Sequence, residues 1–391
     1  MSRPGILTRL ADAHAQRARE DLLRRARAVE RVDGARIVID RKALLNFASN
    51  DYLGLAQHPA LREALTRAAT RWGVGASAAH LLGGHREEHA ALEDKLARWT
   101  GRERALLFST GYMANLGVLG ALLRDGDLCV QDKLNHASLI DGARLSGAEL
   151  KRYRHADVAG AAQHLDARAD AAAVLATDSV FSMDGDIAPL TELAALCKTR
   201  HATLMIDDAH GIGVLGHDGA GCSAALTQDQ APVLMATLGK ALGVCGAFVA
   251  GSAALIDGLV QFARTYVYTT ALPPALAAAA NAAVDIARED QERRARLHRR
   301  IAQFRDGAAA RGLSVLPSSS AIQPVLIGAS AAALSASRYL EAQGFHVPAI
   351  RPPTVPARSA RLRVTLSAAH AESDVARLLD ALAQALARGA A

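Results

Sequence analysis

Residues 232–256, PVLMATLGKALGVCGAFVAGSAALI, are apolar or small throughout except for one cation, Lys240. A membrane span would place that charge in hydrocarbon at a cost of roughly 2.5–3.5 kcal/mol, and the stretch carries four glycines. Its uninterrupted part, 241–256, is also too short to cross a bilayer, so a span is not expected. Two readings of the lysine remain. Among apolar groups its charged form loses solvation, its pKa falls, and the amine becomes a nucleophile or a Schiff-base partner. Alternatively its stem packs while the ammonium snorkels to water or meets a carboxylate. The rest of the chain has to separate them.

With 391 residues, half of them apolar, the chain can bury a large core and has room for two or three subdomains. A net charge of +6 with only 4% aromatic residues suits an anionic small molecule better than nucleic acid, and no nucleic-acid-reading motif is present. Cys129, Cys197, Cys222 and Cys245 form no C-x-x-C pair. That favours neither a disulfide framework nor a cysteine zinc site, and it points to a reducing, cytoplasmic setting. The first twenty residues carry charges where a secretory signal needs an apolar core, so export is not expected.

The pattern then alternates. Residues 7–30 read as an amphipathic helix whose six arginines face four acids, a balance too even for a nucleic-acid arm. Residues 32–46 read as a hairpin turning at Asp33-Gly34, and a helix opens after His58-Pro59. A glycine- and alanine-rich loop, 73–84, precedes a helix over 87–99. From Arg104 an apolar strand ends in Ser109-Thr110-Gly111 and opens a helix, an arrangement whose N–H groups suit a phosphate. Strands are predicted at 128–131, 173–177, 203–207 and 233–237, with helices between them. This is an α/β pattern, a mostly parallel sheet covered on both faces, whose ligand site lies beyond the carboxyl ends of the strands. Residues 274–300 read as one long helix with a solvated charged face. Beyond it, strands at 322–327 and 361–366 alternate with helices at 331–343 and 372–386, a smaller C-terminal α+β layer. The expected division is an arm and hairpin over 1–48, a large domain over 49–288 and a small one over 289–391.

Two motif matches mislead. HREEH, residues 85–89, fits the H-x-x-E-H string of one metalloprotease class, but no third ligand is near in sequence and no metal is expected. GIGVLG, 211–216, fits G-x-G-x-x-G, yet the chain continues HDGAGC, more loop where a dinucleotide site needs a helix. The preceding MIDDAHG carries more: Asp207 ends an apolar strand, Asp208 follows it and His210 lies close behind. A strand-end carboxylate can keep a heterocyclic nitrogen protonated; for Asp208, a carboxylate capping its own loop is an equal reading. A phosphate turn at Gly111, a histidine at His136, a carboxylate at Asp207 and a lysine at Lys240 are the parts that pyridoxal phosphate needs.

SNDYLGL, STGYMAN, NHASLIDGARLS, SVFSMDGDIAPL, IDDAHGIGVLG, TLGKALG and IRPPTVP stand in this order along the chain. The set resembles the α-oxoamine synthases, fold-type I pyridoxal-phosphate transferases that join an amino acid to an acyl thioester with loss of carbon dioxide. Within the family, AIRPPTVP followed by ARLRVTLSAAH is most similar to the biotin-pathway branch. That branch condenses L-alanine with pimeloyl-CoA or pimeloyl-acyl carrier protein. Siblings that use glycine, of the 5-aminolevulinate synthase and 2-amino-3-ketobutyrate ligase types, usually read differently there. An aminotransferase is a further alternative, and a non-catalytic protein of this fold is disfavoured by Lys240 and Asp207 together.

The resemblance implies roles position by position. Lys240 would hold the cofactor's aldehyde as a Schiff base and then take the substrate Cα proton; His136 would stack on the pyridine ring, and Asp207 would face its nitrogen. Ser182 and His210 match groups on the ring hydroxyl. Gly111 and Tyr112 match the phosphate turn, Thr237 a further phosphate contact, and Thr270 one reaching in from the second subunit of a homodimer. Arg351 matches the arginine that holds the amino-acid carboxylate, with Thr354 in the same segment. Arg24, or Arg25 beside it, matches an N-terminal substrate arginine. Two departures stand out: loop 76–80 reads ASAAH where many relatives carry a glycine pair and serine, and Asp178 stands where some carry glutamate.

Overall fold

The computed structural model describes residues 5–20 and 22–389; residues 1–4 and 21 of the expected arm and 390–391 of the expected small domain lie outside the described residues. The chain opens with a helix, Ile6–Arg19, that buries none of its residues. The helix expected over 7–30 therefore stops early, closed by Leu22 N–H donating to Arg17 O at 2.8 Å. Tertiary pairing takes the following segment. Arg27 is drawn to Asp40 at 2.9 Å and Glu341 at 2.6 Å, and strand β1 (Val29–Asp33) pairs antiparallel with β2 (Arg36–Ile39), as β2 does with β3 (Lys42–Asn46). The hairpin expected here is thus three strands.

The main sheet has seven strands: β4 (Arg104–Phe108), β5 (Leu128–Asp132), β6 (Glu149–Tyr153), β7 (Ala173–Asp178), β8 (Thr203–Asp207), β9 (Val233–Thr237) and β10 (Ala247–Gly251), in the order β4-β10-β9-β8-β7-β5-β6. All pairings among β5 to β9 are parallel, and β10 alone runs against both its neighbours. Every residue of β5, β9 and β10 is buried, which is why they read as unbroken apolar runs rather than alternating ones. Two separate clusters pack on one face and the other, around Phe108, Val118 and Leu139 and around Leu175, Phe181 and Leu204.

The helix expected over 274–300 is two helices, Pro274–Glu289 and Gln291–Ala310. Asp290 breaks it, with a non-helical backbone (φ −80°, ψ 73°) and a side chain that accepts from Arg293 N–H at 2.9 Å. Arg293 in turn donates to Leu53 O at 2.9 Å and Arg294 is buried against Ala287 O, so the expected solvated face is partly a docking face. The first of these helices buries Ala277, Ala280 and Ala283 and packs against helices Pro59–Trp72 and Glu87–Thr100, where Asn281 Nδ2 donates to Glu88 O at 3.2 Å.

A three-stranded sheet follows, built from β11 (Ile322–Gly328), β13 (Ala349–Ile350) and β14 (Ala360–Thr365) in the order β11-β14-β13. Helices Ser330–Ala342 and Glu372–Gly389 lie close to the predicted ones. Between them β12 (Phe345–His346) leaves that sheet and pairs parallel with β3, so the first and last quarters of the chain share one sheet. Its core is continuous with one side of the main sheet.

Candidate active site

The parallel strands end at one edge, and a cavity of about 180 Å³ opens there. It is lined by Gly111, Tyr112, Asn115, His136, Ser138, Asp178, Ser182, Asp207, Ala209, His210, Met235, Thr237 and Lys240. Eight residues singled out in the sequence for cofactor chemistry thus meet in one place. Each arrives from a strand end, the loop beyond it or the helix that opens there: Asp207 closes β8, Thr237 closes β9, Lys240 sits on the turn before β10, and Gly111 and Tyr112 open the helix after β4.

Lys240 Nζ lies 2.8 Å from His210 Nε2, and His210 Nδ1 lies 2.6 Å from the Tyr52 hydroxyl. Burial pulls the Lys240 amine down from 10.5 to about 8, against the attraction of Asp207 and Asp178. It is a half-buried amine that faces His210 rather than one that snorkels to water. Burial also drives His210 well below its ordinary value, helped by Lys240 and Arg363. His136 is lowered by burial as well, so both imidazoles are neutral at pH 7. Burial and the neighbouring Asp207 push Asp178 up; its Oδ2 accepts the His136 N–H at 2.7 Å, which fixes the loop before helix Ala137–Ser146.

Asp207 is aimed by a residue that the sequence reading missed. Asn115 Nδ2 donates at 2.8 Å to Asp207 Oδ2 and at 2.8 Å to Ser138 Oγ, while Ala209 N–H holds Asp207 Oδ1 at 3.1 Å. Ser138 Oγ stands 2.7 Å from His136 Nδ1, so carboxylate, amide, hydroxyl and imidazole form one network. Asp208 takes the loop-capping role. Its carboxylate accepts from Ser179 Oγ at 2.6 Å and from Ser223 N–H at 3.1 Å, and a Cβ at Gly211 or Gly221 would fall 2.0 or 2.2 Å from it.

Gly111 and Tyr112 begin helix Gly111–Leu122, capped by Thr110 Oγ1 accepting from Met113 N–H at 3.1 Å. Among the described residues nothing accepts from the Gly111 and Tyr112 N–H groups. Two orphan donors at a helix N-terminus, a carboxylate, a flat imidazole and a desolvated amine are a donor set that fits pyridoxal phosphate. Thr237 Oγ1 donates to Gly246 O at 3.0 Å and accepts from Gly239 N–H at 3.1 Å. The main chain beside Ser182 is pinned by Arg363, whose Nε donates to Ser182 O at 2.7 Å.

Four expected site residues do not line the cavity: Arg24, Arg351, Thr354 and Thr270. Arg24 Nη2 donates to Thr354 Oγ1 at 3.1 Å, joining the N-terminal segment to the IRPPTVP segment, in which Arg351 is half-buried. Thr270 is exposed and pairs through its main chain with Ala79, and Ala271 N–H donates to Ala78 O at 3.0 Å. In the same loop Ser77 takes φ +59°, the conformation for which a glycine would be the usual choice.

The HREEH residues serve packing. His89 Nδ1 accepts from Arg86 N–H at 2.8 Å and its Nε2 faces Leu272 O at 2.6 Å, while His85 Nδ1 stands 3.0 Å from His80 Nδ1. Among the described residues no group of three or more His, Cys, Asp or Glu is arranged to hold a metal, and no helix is long and apolar enough to cross a membrane. GIGVLG is a loop, as its continuation required.

The family model described as aminotransferase class I and II matches residues 42–382. The chain is 55% identical over 379 residues to an 8-amino-7-oxononanoate synthase of Methylococcus capsulatus, covering 96% of this chain and 98% of that one. It is 52% identical to the enzyme of that name from Pseudomonas aeruginosa, over 96% and 94%. Among solved structures, Sphingomonas wittichii serine palmitoyltransferase superposes with a TM-score of 0.93 at 29% identity over 99% of each chain. An 8-amino-7-oxononanoate synthase from Francisella tularensis gives 0.78 at 29% identity over 89% of this chain and 99% of that one. The backbone is shared across siblings, whereas the higher sequence identity falls to one of them.

Proposed function

The chain belongs to the class I and II aminotransferase family, and on that premise we propose that it condenses L-alanine with a pimeloyl thioester to give 8-amino-7-oxononanoate, carbon dioxide and the free thiol, a step of biotin biosynthesis. The observation that carries this is identity of 51–55% over nearly the full length to proteins of that name, joined to a cavity whose donors suit the cofactor such chemistry needs.

Pyridoxal phosphate, when bound, supplies an aldehyde for amines and a ring that accepts the electron pair left by a departing proton or carbon dioxide. The chain's own residues do the rest. The Gly111 and Tyr112 N–H groups and the helix N-terminus hold the phosphate, with Thr237 beside them. Asp207, aimed by Asn115, would keep the proton on the ring nitrogen, and His136, its Nδ1 tied to Ser138, would offer its face to the ring. Ser182 and His210 would hold the ring hydroxyl. Lys240, lowered to about 8, would hold the aldehyde through its amine and, with alanine bound, would be the base that takes the Cα proton and later returns one. Arg351, with Thr354 and Arg24, holds the substrate carboxylate.

The protein acts as a homodimer in this reading. Thr270 lies outside the cavity on an exposed stretch beside Tyr268, 73% exposed, and near the loop carrying Leu82, 80% exposed, an apolar surface a second copy would cover. Four unpaired cysteines suit a reducing cytoplasm.

The test is thiol release and product mass from cofactor-loaded protein given alanine with pimeloyl-CoA or pimeloyl-acyl carrier protein. Glycine with acetyl-CoA or succinyl-CoA, serine with palmitoyl-CoA, and a keto acid as amino acceptor run beside it. Preference for alanine with pimeloyl thioester is expected. Preference for another acyl pair would move the protein to a sibling activity, and amino transfer alone would make it an aminotransferase.

A further inference from the structure

Arg363 is 5% exposed and carries only hydrogen-bond donors. Its Nη1 and Nη2 both lie 3.3 Å from Asn50 Oδ1, with Nη1 also on Thr365 Oγ1 at 3.0 Å and Nε on Ser182 O. The Asn50 atom facing a guanidinium has to be its oxygen. The Tyr52 hydroxyl, on a side chain 1% exposed, reaches that same oxygen at 3.3 Å, and it can reach it only by donating. Its single proton committed there, the Tyr52 oxygen is left to accept. What stands 2.6 Å away is His210 Nδ1, which therefore carries the proton. A neutral imidazole protonated at Nδ1 presents a lone pair at Nε2, and 2.8 Å from Nε2 is Lys240 Nζ.

We propose that Tyr52 is a positioning residue for Lys240, acting through His210: the chain Arg363–Asn50–Tyr52–His210 sets the imidazole tautomer, so that in the cofactor-free protein Lys240 meets an acceptor. The polarity is imposed from the guanidinium end and propagates without any group changing charge. The amine keeps its N–H on His210 and its remaining directions open to the cavity. Other charges face Lys240 as well, Asp207 and Asp178 raising its proton affinity, Arg363 lowering it, with His136 across the cavity. The effect of Tyr52 is thus read as a difference between variants. Without the hydroxyl, the Nδ1 proton loses its buried partner, and the favoured tautomer places N–H at Nε2. That tautomer donates to the lone pair of the neutral amine and repels the ammonium, so the Lys240 titration moves to lower pH.

The inference rests on Lys240 being the reactive amine of the proposed function, and its test needs neither cofactor nor substrate. Competitive acetylation of cofactor-free protein with acetic anhydride, read on the Lys240 peptide by mass spectrometry across pH, gives the titration midpoint directly. Tyr52→Phe is expected to shift it down by roughly half to one pH unit, the worth of one hydrogen bond. In a His210→Gln background the same substitution is expected to shift nothing. If Tyr52→Phe does not fold, Asn50→Leu frees the tyrosine proton to turn to Nδ1 and is read by the same midpoint and the same direction. An unmoved midpoint, an upward shift, or an equal shift with His210 removed would each overturn the proposal. A changed midpoint with unchanged acyl-thioester preference separates this result from failure of the functional assignment.

Discussion

Asn115→Ala tests whether the carboxylate of the site is aimed or merely present. Asn115 is wholly buried and spends both amide protons, one on Asp207 and one on Ser138, while its Oδ1 has no partner among the described residues. Removing a donor from a buried carboxylate costs about 1.5–3 kcal/mol and from a buried hydroxyl about 0.5–1.5 kcal/mol. Deleting the unpartnered oxygen returns about 1 kcal/mol of that, which leaves a net loss of about 1–3.5 kcal/mol. An unfolding entropy of about 0.8 kcal/mol per kelvin for a chain of this length turns the loss into a Tm lower by about 1–4 °C. A carboxylate free to turn away from the ring nitrogen also weakens cofactor binding, by roughly tenfold to thirtyfold for about 1.4–2 kcal/mol. Thermal unfolding of cofactor-free protein and a fluorescence titration with pyridoxal phosphate read the two effects separately. Wild-type values in both would refute the network described around Asp207, because no other side chain shares its Oδ2.

Lys240→Ala is expected to abolish condensation and to leave no cofactor on the chain after borohydride reduction, by intact mass. In the wild type, capture of pyridoxal phosphate by cofactor-free protein should rise through about pH 8 and then level, since burial lowers the Lys240 amine to that value; a rise only above pH 10 would contradict its burial. His155 sits between Asp132 at 3.2 Å and Asp186 at 2.7 Å, which hold it charged and raise it from 6.5 to about 10. The folded value exceeds the unfolded one, so this stabilisation is complete below about pH 6.5 and is lost as pH rises through about 10. His155→Gln should therefore cost about 2–3 kcal/mol in urea unfolding at pH 6 and little near pH 11, and an equal cost at both would exclude the ion-pair account. Thr270→Asp protomers mixed with Lys240→Ala protomers should regain up to about one quarter of wild-type activity, since each hybrid dimer rebuilds one intact site; no recovery after subunit exchange would refute a shared site.

What the sequence discloses follows from how local each feature is. Lys240 stands out because its neighbours are apolar in the chain as well as in space, and four of the parallel strands stand out because burial on both faces makes them continuous apolar runs. β10 is hidden inside the Lys240 stretch, where a turn carrying three glycines, Gly239, Gly243 and Gly246, separates two equally apolar strands. β6, ELKRY, was hidden for the opposite reason: as an edge strand it is mostly half-buried and polar, with no period to read. The helical arm was read too long because propensity knows nothing of Arg27 meeting Glu341, and the break at Asp290 needed Leu53 as a partner for Arg293. Asn115 lies mid-helix among apolar residues and Tyr52 in a turn. Their importance comes from residues 92 and 158 positions away, Asp207 and His210. The family motifs located the cavity residues, but they could not show which neighbours orient them.

The parallel pairing of β3 with β12 has a consequence for how the chain is made. Leu45 N–H donates to Gly344 O at 2.8 Å and Phe47 N–H to His346 O at 3.0 Å, so one edge of the first sheet is completed by residues synthesised some three hundred positions later. At about 5–20 residues per second, a ribosome takes roughly 15–60 s to cover that interval. Throughout it the edge of β3 is open while the seven-stranded sheet emerges beside it. The apolar side chains of Leu44 and Leu45 must wait, and a crowded polysome carries many such edges at once. The outward residues of the meander, Glu30, Arg31, Asp33, Arg36, Arg41 and Lys42, carry charges of both signs along its exposed strands, so nascent chains are kept apart until Phe345 arrives.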